Sequence, residues 1–236
     1  MKLIKTFVAV ACTAALFSCK KDLNGSGHVI TQQRQAGSFT GVSSKGDFKI
    51  VLKKGSITAV ELTGEDNVLE KTITDISNGT LTVKYQDGIK THRNKQVTVN
   101  VTLPALTSIQ LEGSGTILSQ DSWSIPSLSA KINGSGSIEL AADGTDFYGE
   151  VNGSGKLIMN GGNYLSSTIW VNGSGKVHAL PFTTHTADVK IDGSGTCEIK
   201  VNNKLKARIS GSGKVYYKGS PDTIVTIAGS GKVEKI

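Results

Sequence analysis

Gly-Ser-Gly occurs seven times between Gly113 and Gly231, and lysine follows four of these copies, a combination that resembles phosphate-binding loops. An eighth copy, residues 25–27, lies out of register with the others and is interpreted as linker. A Walker-type loop also requires a glycine five residues before the Gly-Lys pair, and a serine or threonine after the lysine. Leucine or valine follows the lysine in all four copies. The residues at the earlier position are Glu150, Trp170, Arg208 and Thr226. The sequence therefore lacks the phosphate-binding motif.

Acidic residues could instead form the paired carboxylates that hydrolyse glycosidic bonds. Two acidic groups lie close in sequence, but neither recurs at equivalent positions of adjacent repeats, so their carboxylates are not expected to converge. These groups are Asp143, Asp146 and Glu150, and Asp188, Asp192 and Glu198. The histidines are scattered, and the recurrent aspartates of a calcium-binding repeat are missing. We predict no catalytic residues, no metal site and no cofactor, so this protein is not expected to be an enzyme.

The Gly-Ser-Gly tripeptide is the repeating unit of the sequence. Successive first glycines are separated by 21, 19, 20, 20, 18 and 18 residues. A fixed period near twenty residues is typical of a solenoid, in which stacked turns share one core. The copies occupy residues 113–115, 134–136, 153–155, 173–175, 193–195, 211–213 and 229–231.

Hydrophobic residues flank every copy with a period of two. The residue two before the first glycine and the residue two after the second glycine are apolar in all seven copies. Strict alternation of this kind predicts strands with one buried face. The sequence therefore predicts an all-β protein, a right-handed parallel β-helix with turns of about 20 residues. Both glycines share the parity of the core face, so we expect them at a tight corner where a side chain would meet the opposite wall.

The N-terminal part of the predicted domain, residues 38–107, is rich in β-strand signals but less regular than residues 108–236. Asn78-Gly79 predicts a hairpin turn, and Glu65 to Lys71 is the one plausible helical turn. Gly46 is interpreted as a degenerate copy of the glycine corner, because terminal repeats of a solenoid are usually atypical. The predicted strands are Phe48–Leu52, Ile57–Leu62, Thr72–Ile76, Leu81–Tyr85 and Val97–Leu103.

Residues 1–18 have the pattern of a lipoprotein signal peptide. Two lysines precede a short apolar segment, which ends in Leu16-Phe17-Ser18-Cys19. This ending resembles the bacterial lipobox, which implies lipid attachment at Cys19; the alternative is a general secretory signal. Residues 19–37 are then a lipidated, flexible tether. We expect an exported protein that is attached through lipid to the outer membrane of the cell envelope. Its location on the periplasmic or on the surface side of that membrane is left open.

The net charge gives little support for a nucleic-acid partner. Loss of Lys2 and Lys5 with the leader lowers the formal charge from +7 to +5. The basic run that includes Lys90, His92 and Lys95 is interpreted as a solvated loop. An exported protein does not ordinarily meet nucleic acid, so none is expected as a partner.

A polar stripe on the outward parity is the candidate binding surface. Stacked asparagines and serines can hydrogen-bond along the rod and simply stabilise it, as side-chain ladders do in stacked sheets. Alternatively, the stripe binds a glycan or an envelope protein, with an exposed tryptophan as a platform. The candidate residues are Asn133, Ser135, Asn152, Ser154, Trp170, Asn172 and Ser174.

Three repeats and the C-terminal segment carry a family resemblance. Residues 132–136, 151–155 and 171–175 read Ile/Val-Asn-Gly-Ser-Gly, and residues 211–221 read Gly-Ser-Gly-Lys-Val-Tyr-Tyr-Lys-Gly-Ser-Pro. These segments resemble the family named putative auto-transporter adhesin, head GIN domain. The resemblance covers residues 38–236 and implies a β-helical, envelope-associated protein of Gram-negative bacteria. Adhesin-like binding, a structural or assembly role and a polysaccharide-active enzyme remain the alternatives, in that order.

Overall fold

The structure is a computed structural model that describes residues 21–92 and 94–236. The predicted signal peptide, the predicted lipid-attachment residue Cys19 and the basic Arg93 lie outside these residues. Within them the protein is nearly all strand, and its single helix has five residues. No helix in these two ranges is both long and apolar enough to span a bilayer.

The N-terminal third contains nine strands and the helix. Most strands alternate between buried and exposed residues, as the period-two pattern predicts. The elements are β1 (Lys21–Asn24), β2 (Val29–Arg34), β3 (Gly41–Lys45), β4 (Lys49–Lys54), β5 (Ala59–Glu65), α1 (Asp66–Glu70), β6 (Thr72–Ser77), β7 (Thr80–Tyr85), β8 (Ile89–His92) and β9 (Thr98–Leu103). All five strands predicted here are present.

The remaining strands form the stacked turns. Several are long, because the chain stays extended as it bends around the solenoid. They are β10 (Ser108–Gly113), β11 (Thr116–Ser124), β12 (Ser127–Gly134), β13 (Ser137–Gly153), β14 (Lys156–Gly161), β15 (Asn163–Gly173), β16 (Lys176–Gly193), β17 (Thr196–Gly211), β18 (Lys214–Lys218), β19 (Asp222–Gly229) and β20 (Lys232–Lys235).

The turns stack in parallel and in register with the repeat. Each first glycine pairs with the first glycine of the next turn, from Gly113 with Gly134 to Gly211 with Gly229. The seven glycine corners delimit a β-solenoid of about six turns. The predicted parallel β-solenoid is thus confirmed, while its right-handed winding stays a prediction.

Apolar side chains of consecutive turns fill the interior. The residues that flank the glycines are fully buried through most of the stack, as for Ile132, Val151 and Val171. Neighbouring aromatic rings fill the interior further along the same turns, with centroids 5.5–5.7 Å apart, among Phe147, Tyr164 and Phe182. The hydrophobic alternation of the sequence therefore corresponds to one continuous core.

The two glycines of each corner have different roles, which corrects the predicted collision with the opposite wall. The first glycines adopt φ between 110° and 134°, and only the second glycines are buried on the core side. A Cβ on Gly153 would lie 2.6 Å from the carbonyl oxygen of Gly134 in the preceding turn. A Cβ on Gly155 would lie 2.6 Å from the side chain of Ile132. Close stacking between successive turns therefore demands glycine.

The N-terminal end of the solenoid is capped. Gly46 lies directly before the Gly113 corner in the stack, since the Gly115 N–H donates to its carbonyl oxygen at 3.1 Å. Beyond this turn, β6 and β7 form an antiparallel hairpin through Asn78 and Gly79, at φ 49° and 70°. The helix α1 buries Val68 and Leu69 in the core cluster. The atypical first turn, the hairpin turn and the helical turn predicted from the sequence are all present.

The predicted flexible tether over residues 19–37 is wrong for two segments. The strand β1 pairs in parallel with β8, and β2 pairs antiparallel with β5. The loop predicted at Lys90 and His92 is also wrong, because both lie in β8. Glycine and polar residues suggested a linker, but β5 and β8 offer free edges whose backbone groups these segments satisfy.

The C-terminal end of the solenoid carries no comparable cap among the described residues. Every residue of β19 is exposed, and β19 pairs only with β17. Val225 and Ile227 occupy the positions of the buried Ala207 and Ile209 one turn earlier, yet they are 44% and 40% exposed. The core is therefore open at this end.

Candidate functional site

One outward sheet face carries the candidate binding residues. It consists of β12, the second half of β13, β15, and the second halves of β16 and β17, which pair in parallel. The period-two alternation that buries the apolar residues aligns the outward ones in files, and residues of successive turns within one file lie about 4.8 Å apart. One file contains Lys131, Glu150, Trp170, Lys190 and Arg208, and the next contains Asn133, Asn152, Asn172, Asp192 and Ser210.

Trp170 belongs to a compact aromatic and polar group that we call the Trp170 cluster, formed by Lys131, Tyr148, Glu150, Asn152 and Trp170. The rings of Tyr148 and Trp170 meet edge to face with centroids 5.7 Å apart. The Lys131 ammonium lies 5.1 Å from the centroid of the Tyr148 ring and 3.4 Å from the Glu150 carboxylate. Trp170 remains 39% exposed, so it offers apolar surface to a ligand.

Hydrogen bonds hold the cluster around Glu150. The Tyr148 hydroxyl donates to Oε2 and the Asn152 amide donates to Oε1, each at 2.8 Å. Partial burial alone would raise the pKa of Glu150, but these bonds and the Lys131 charge outweigh it and lower that pKa. Burial, with the bond to Glu150, raises the pKa of Tyr148 to about 12. Near neutral pH the group is therefore a carboxylate with a phenol donor.

The predicted asparagine file is a hydrogen-bonded ladder. Asn152 donates to Asn133 at 2.9 Å, and Asn172 donates to Asn152 at 2.7 Å. These amides bridge three consecutive turns, as the structural interpretation of the stripe predicts. Because the ladder uses amide donors and acceptors, it leaves fewer of them for a ligand.

The serines at the corners are exposed and partly paired. The hydroxyl oxygens of Ser154 and Ser174 lie 3.1 Å apart, and Ser212 and Ser230 form an equivalent pair at 3.0 Å. The exposed Ser135 uses its backbone N–H to bond the carbonyl oxygen of Gly113. The serines therefore line the corner next to the ladder and link neighbouring turns.

Five of the six acidic residues in the two sequence groups have polar partners of their own. Asp188 pairs with Arg208 at 2.8 Å, Asp192 with Lys190 at 2.7 Å, and Glu198 with His178 at 3.1 Å. In the other acidic group, Asp143 accepts the backbone N–H of Asn163 and Glu150 belongs to the Trp170 cluster. Each of these carboxylates has its own partner rather than facing a second carboxylate across a groove.

The described part of the chain contains no assembled site for metal binding or for thiol chemistry. Residues 21–92 and 94–236 contain no cluster of three or more His, Cys, Asp or Glu side chains able to hold a metal ion. Cys197 is fully buried in the core, and burial raises the pKa of its thiol to about 12. A buried, protonated thiol is a poor nucleophile.

A second surface depression lies beside the N-terminal cap. It has a volume of about 610 Å³ and is lined by polar and charged side chains, with Tyr85 at its wall. Tyr85 is already engaged, because its ring packs on Phe48 with centroids 4.4 Å apart and its hydroxyl donates to Asp47. This depression therefore lacks the exposed aromatic face that Trp170 provides.

Tyr148 is the member of the Trp170 cluster that the sequence pattern did not single out. It pairs with Thr168, so it lies diagonally across the sheet from Trp170. Diagonal neighbours in a sheet remain within reach of large side chains. Its outward parity, two residues before Glu150, is the signal that could have identified it.

The fold and the repeated glycine corner define a class of protein, the β-solenoids with glycine-lined turns. Residues 38–221 match the family described as "Putative auto-transporter adhesin, head GIN domain", and the chain belongs to this family. Family membership supports an adhesin-like role for an exported or envelope-associated protein. No curated protein matches the sequence.

Solved structures of bacterial proteins share the fold. A structure described as a putative adhesin from Bacteroides fragilis has a TM-score of 0.85 and 19% identity, with 91% of this chain and 100% of that chain covered. A putative lipid binding protein from Parabacteroides distasonis has a TM-score of 0.77 and 20% identity, with 92% and 100% covered. A putative adhesin from Parabacteroides merdae has a TM-score of 0.73 and 20% identity, with 91% and 99% covered. At these identities the likeness establishes the fold.

Proposed function

We propose that this protein is a non-catalytic, lipid-anchored adhesin of the cell envelope, and that its Trp170 cluster binds a glycan. The observation that carries the proposal is the exposed Trp170, supported edge to face by Tyr148 and surrounded by charged and amide groups. The adhesin-like family supports the same class of function.

The chemistry of the cluster suits a sugar. A sugar ring presents apolar C–H faces and polar hydroxyls, and tryptophan combines a large apolar surface with little conformational entropy to lose. Beside Trp170 in the same file lie Glu150 and Lys190, which can accept from and donate to hydroxyls. A rigid sheet fixes these groups before the ligand arrives, which lowers the entropic cost of binding.

The membrane connection follows from the sequence. Cys19 after the apolar leader would carry the lipid, and β1 begins two residues later at Lys21. Such an anchor would leave little free chain between the membrane and the N-terminal cap. The solenoid would then project its C-terminal turns away from the bilayer, with the Trp170 face on its side.

A structural spacer or assembly factor is the second candidate function. The amide ladder through Asn133, Asn152 and Asn172 supports it, since it links turns without any ligand. A spacer predicts that substitutions on the outward face change stability only. A glycan adhesin predicts that substitution of Trp170 changes binding while the melting temperature stays the same.

The test is a glycan array probed with the lipid-free chain, residues 20–236, followed by titration of any ligand found. Trp170→Ala is expected to weaken binding at least about tenfold, because it removes the stacking platform. Leu165→Ala is the matched control, because Leu165 is 56% exposed on the same strand β15 yet lies outside the cluster. Absence of binding to every glycan, or equal binding by both variants, would refute the glycan proposal.

The anchor requires its own experiment in a Gram-negative host. Metabolic labelling with an alkyne fatty acid should label the parent and not Cys19→Ser, and the parent alone should fractionate with membranes. Protease treatment of intact cells then reports whether the domain faces outward. A Cys19→Ser protein that remains labelled and membrane-bound would contradict lipid attachment at this residue.

A further inference from the structure

The open C-terminal end of the solenoid is a strand edge with exposed core residues. Val225 and Ile227 face the interior, and none of the described strands lies above them, although the equivalent residues one turn earlier are 0% and 2% exposed. The second strand of this turn, β20, likewise pairs only with β18 among the described strands. Exposed edges of this kind are templates for a further strand.

Natural edge strands usually carry features that block such pairing, and β19 lacks them. Lysine, proline and bulges are the common protections. From Asp222 to Gly229 the strand has one charged residue, at its start, and the rest of its sequence is Thr-Ile-Val-Thr-Ile-Ala-Gly. At the opposite end of the rod the core is covered by α1, and the edge strands β2 and β6 carry Arg34 and Asp75. At the C-terminal end β20 does carry two lysines, Lys232 and Lys235, so β19 is the unprotected strand of this turn.

We propose that two copies of this chain pair end to end, through antiparallel contact of their β19 strands. This inference does not depend on the glycan proposal, because β19 lies at the tip and the Trp170 cluster lies on the side of the rod. Antiparallel pairing of a strand with itself closes about a two-fold axis, the commonest symmetry of protein dimers.

One register of the two paired β19 strands makes the cores of the two copies continuous and keeps like charges apart. With Thr226 opposite Thr226 of the second copy, Val225 lies opposite Ile227 on the inner face, so the two cores become continuous. In the same register Asp222 lies opposite Ser230 rather than another carboxylate. No like charges are therefore brought together along the paired strands.

The size of the end face predicts a weak, reversible dimer. Eight residues of strand are about 26 Å long, and sheets on opposite sides of a packed core lie about 10 Å apart, or about 20 Å across with their outer side chains. Each copy would bury about 500 Å², or about 1,000 Å² in total, which is the lower limit for a specific interface. Association in the micromolar range is expected, and it would strengthen where many copies face each other.

Sedimentation velocity of the lipid-free chain, residues 20–236, over a hundredfold range of micromolar concentrations tests the proposal. The parent should shift from monomer to dimer, and Val225→Lys should stay monomeric because it places charge in the shared core. Ile224→Lys is the matched control, since Ile224 is 48% exposed on the same strand but points outward. Thermal melts of both variants report whether the final turn still folds.

A cysteine pair tests the register. Thr226→Cys should form an interchain disulfide under mild oxidation, because directly opposite Cα atoms lie about 4.5–5.5 Å apart. Ile224→Cys should not, since its copies would be offset by four residues, about 13 Å along the strand. The native Cys197 is fully buried and does not compete.

The sedimentation and crosslinking experiments test end-to-end pairing independently of glycan binding. A parent that stays monomeric throughout the range, or a folded Val225→Lys that still dimerises, overturns end-to-end pairing. A dimer in which Ile224→Cys crosslinks and Thr226→Cys does not overturns the two-fold register. A failed glycan array leaves these measurements unaffected.

Discussion

At the scale of single residues, the glycine corner is a steric solution to close stacking. The carbonyl oxygen of Gly134 accepts the N–H of Ser154 at 3.0 Å, and the space beside it is where a Cβ on Gly153 would lie. Glycine also adopts the positive φ of 112° at low cost. Stacking and backbone conformation therefore demand the same residue at every corner.

Gly153→Val should destabilise the solenoid strongly. The valine would have to adopt a left-handed conformation and displace a hydrogen-bonded carbonyl, so we expect a loss of about 3 kcal/mol or more in the free energy of unfolding. Chemical denaturation measures it. Ser154→Ala is the adjacent control and should cost under about 1 kcal/mol, because it removes one exposed hydroxyl bond. Equal melting of Gly153→Val and the parent would disprove the corner mechanism.

Glu150 should make stability depend on pH. Its folded-state pKa is lowered, so its ionised form stabilises the fold above its ordinary pKa of 4.5, and this contribution is lost as pH falls through the folded pKa. Glu150→Gln should therefore cost about 1 kcal/mol near pH 7 and less near pH 3, because the cost decreases as pH falls through the folded pKa.

Urea denaturation of the parent and Glu150→Gln at both pH values measures this difference. Glu234→Gln, which alters an exposed carboxylate of the last strand, is the control and should show little effect at either pH. A cost for Glu150→Gln that is unchanged at low pH would show that lost packing, not ionisation, causes it.

At the scale of elements, the N-terminal cap depends on a buried carboxylate. Glu65 is 3% exposed and accepts the backbone N–H groups of Gly27 and Lys95 at 2.7 and 2.8 Å. These bonds attach the segment between β1 and β2, and the segment after β8, to the end of β5. Segments with linker-like composition thereby become part of the fold.

Glu65→Ala should release those segments before it unfolds the solenoid. Two backbone donors would lose a charged acceptor, at about 1–3 kcal/mol each if they remained buried. Hydrogen exchange followed by mass spectrometry should show faster exchange in residues 21–34 and 89–95 and little change beyond residue 108.

Glu61→Ala is the comparison for this cap experiment. Its carboxylate accepts side-chain donors from Gln33 and Asn100 on an exposed face, so exchange near Gly27 should stay close to that of the parent. Equal exchange in Glu65→Ala and Glu61→Ala would argue against Glu65 as the anchor of the cap.

At the scale of the whole molecule, the described residues form a solenoid that is capped at its N-terminal end and uncapped at its C-terminal end. Each turn contacts mainly its neighbours, so stability is distributed along the stack and is lowest where a turn has a single neighbour. The C-terminal turn, β19 and β20, has that position, and every residue of these two strands except the half-buried Val233 is exposed. The rod is therefore expected to open from its C-terminal end.

Hydrogen exchange at low protein concentration should show this gradient. Amides of residues 222–236 should exchange fastest within the stack, and those of β13 to β16 slowest, because these strands have neighbours on both sides. Raising the concentration should slow exchange in β19 if the ends pair. Uniform protection along the stack at low concentration would contradict nearest-neighbour stability.

The amino-acid sequence determined the solenoid almost completely. Its period of about 20 residues fixed the stacking of equivalent residues, and the alternation around Ile132, Val151 and Val171 fixed which side faces the core. These features are local and recur in every turn, so each can be recognised in the sequence of a single turn. The outward position of Asn152 and Trp170 followed from the same parity.

The tertiary structure alone decided three further features. It placed β1 and β2 against the free edges of β8 and β5, because pairing between strands distant in sequence leaves no local signature. It brought Tyr148 to Trp170 through a diagonal contact between turns. It also showed that Val225 and Ile227, which continue the core pattern, are left exposed by the described strands. Alternation determines the direction in which a side chain points, whereas the presence of another chain segment there depends on how the whole chain folds.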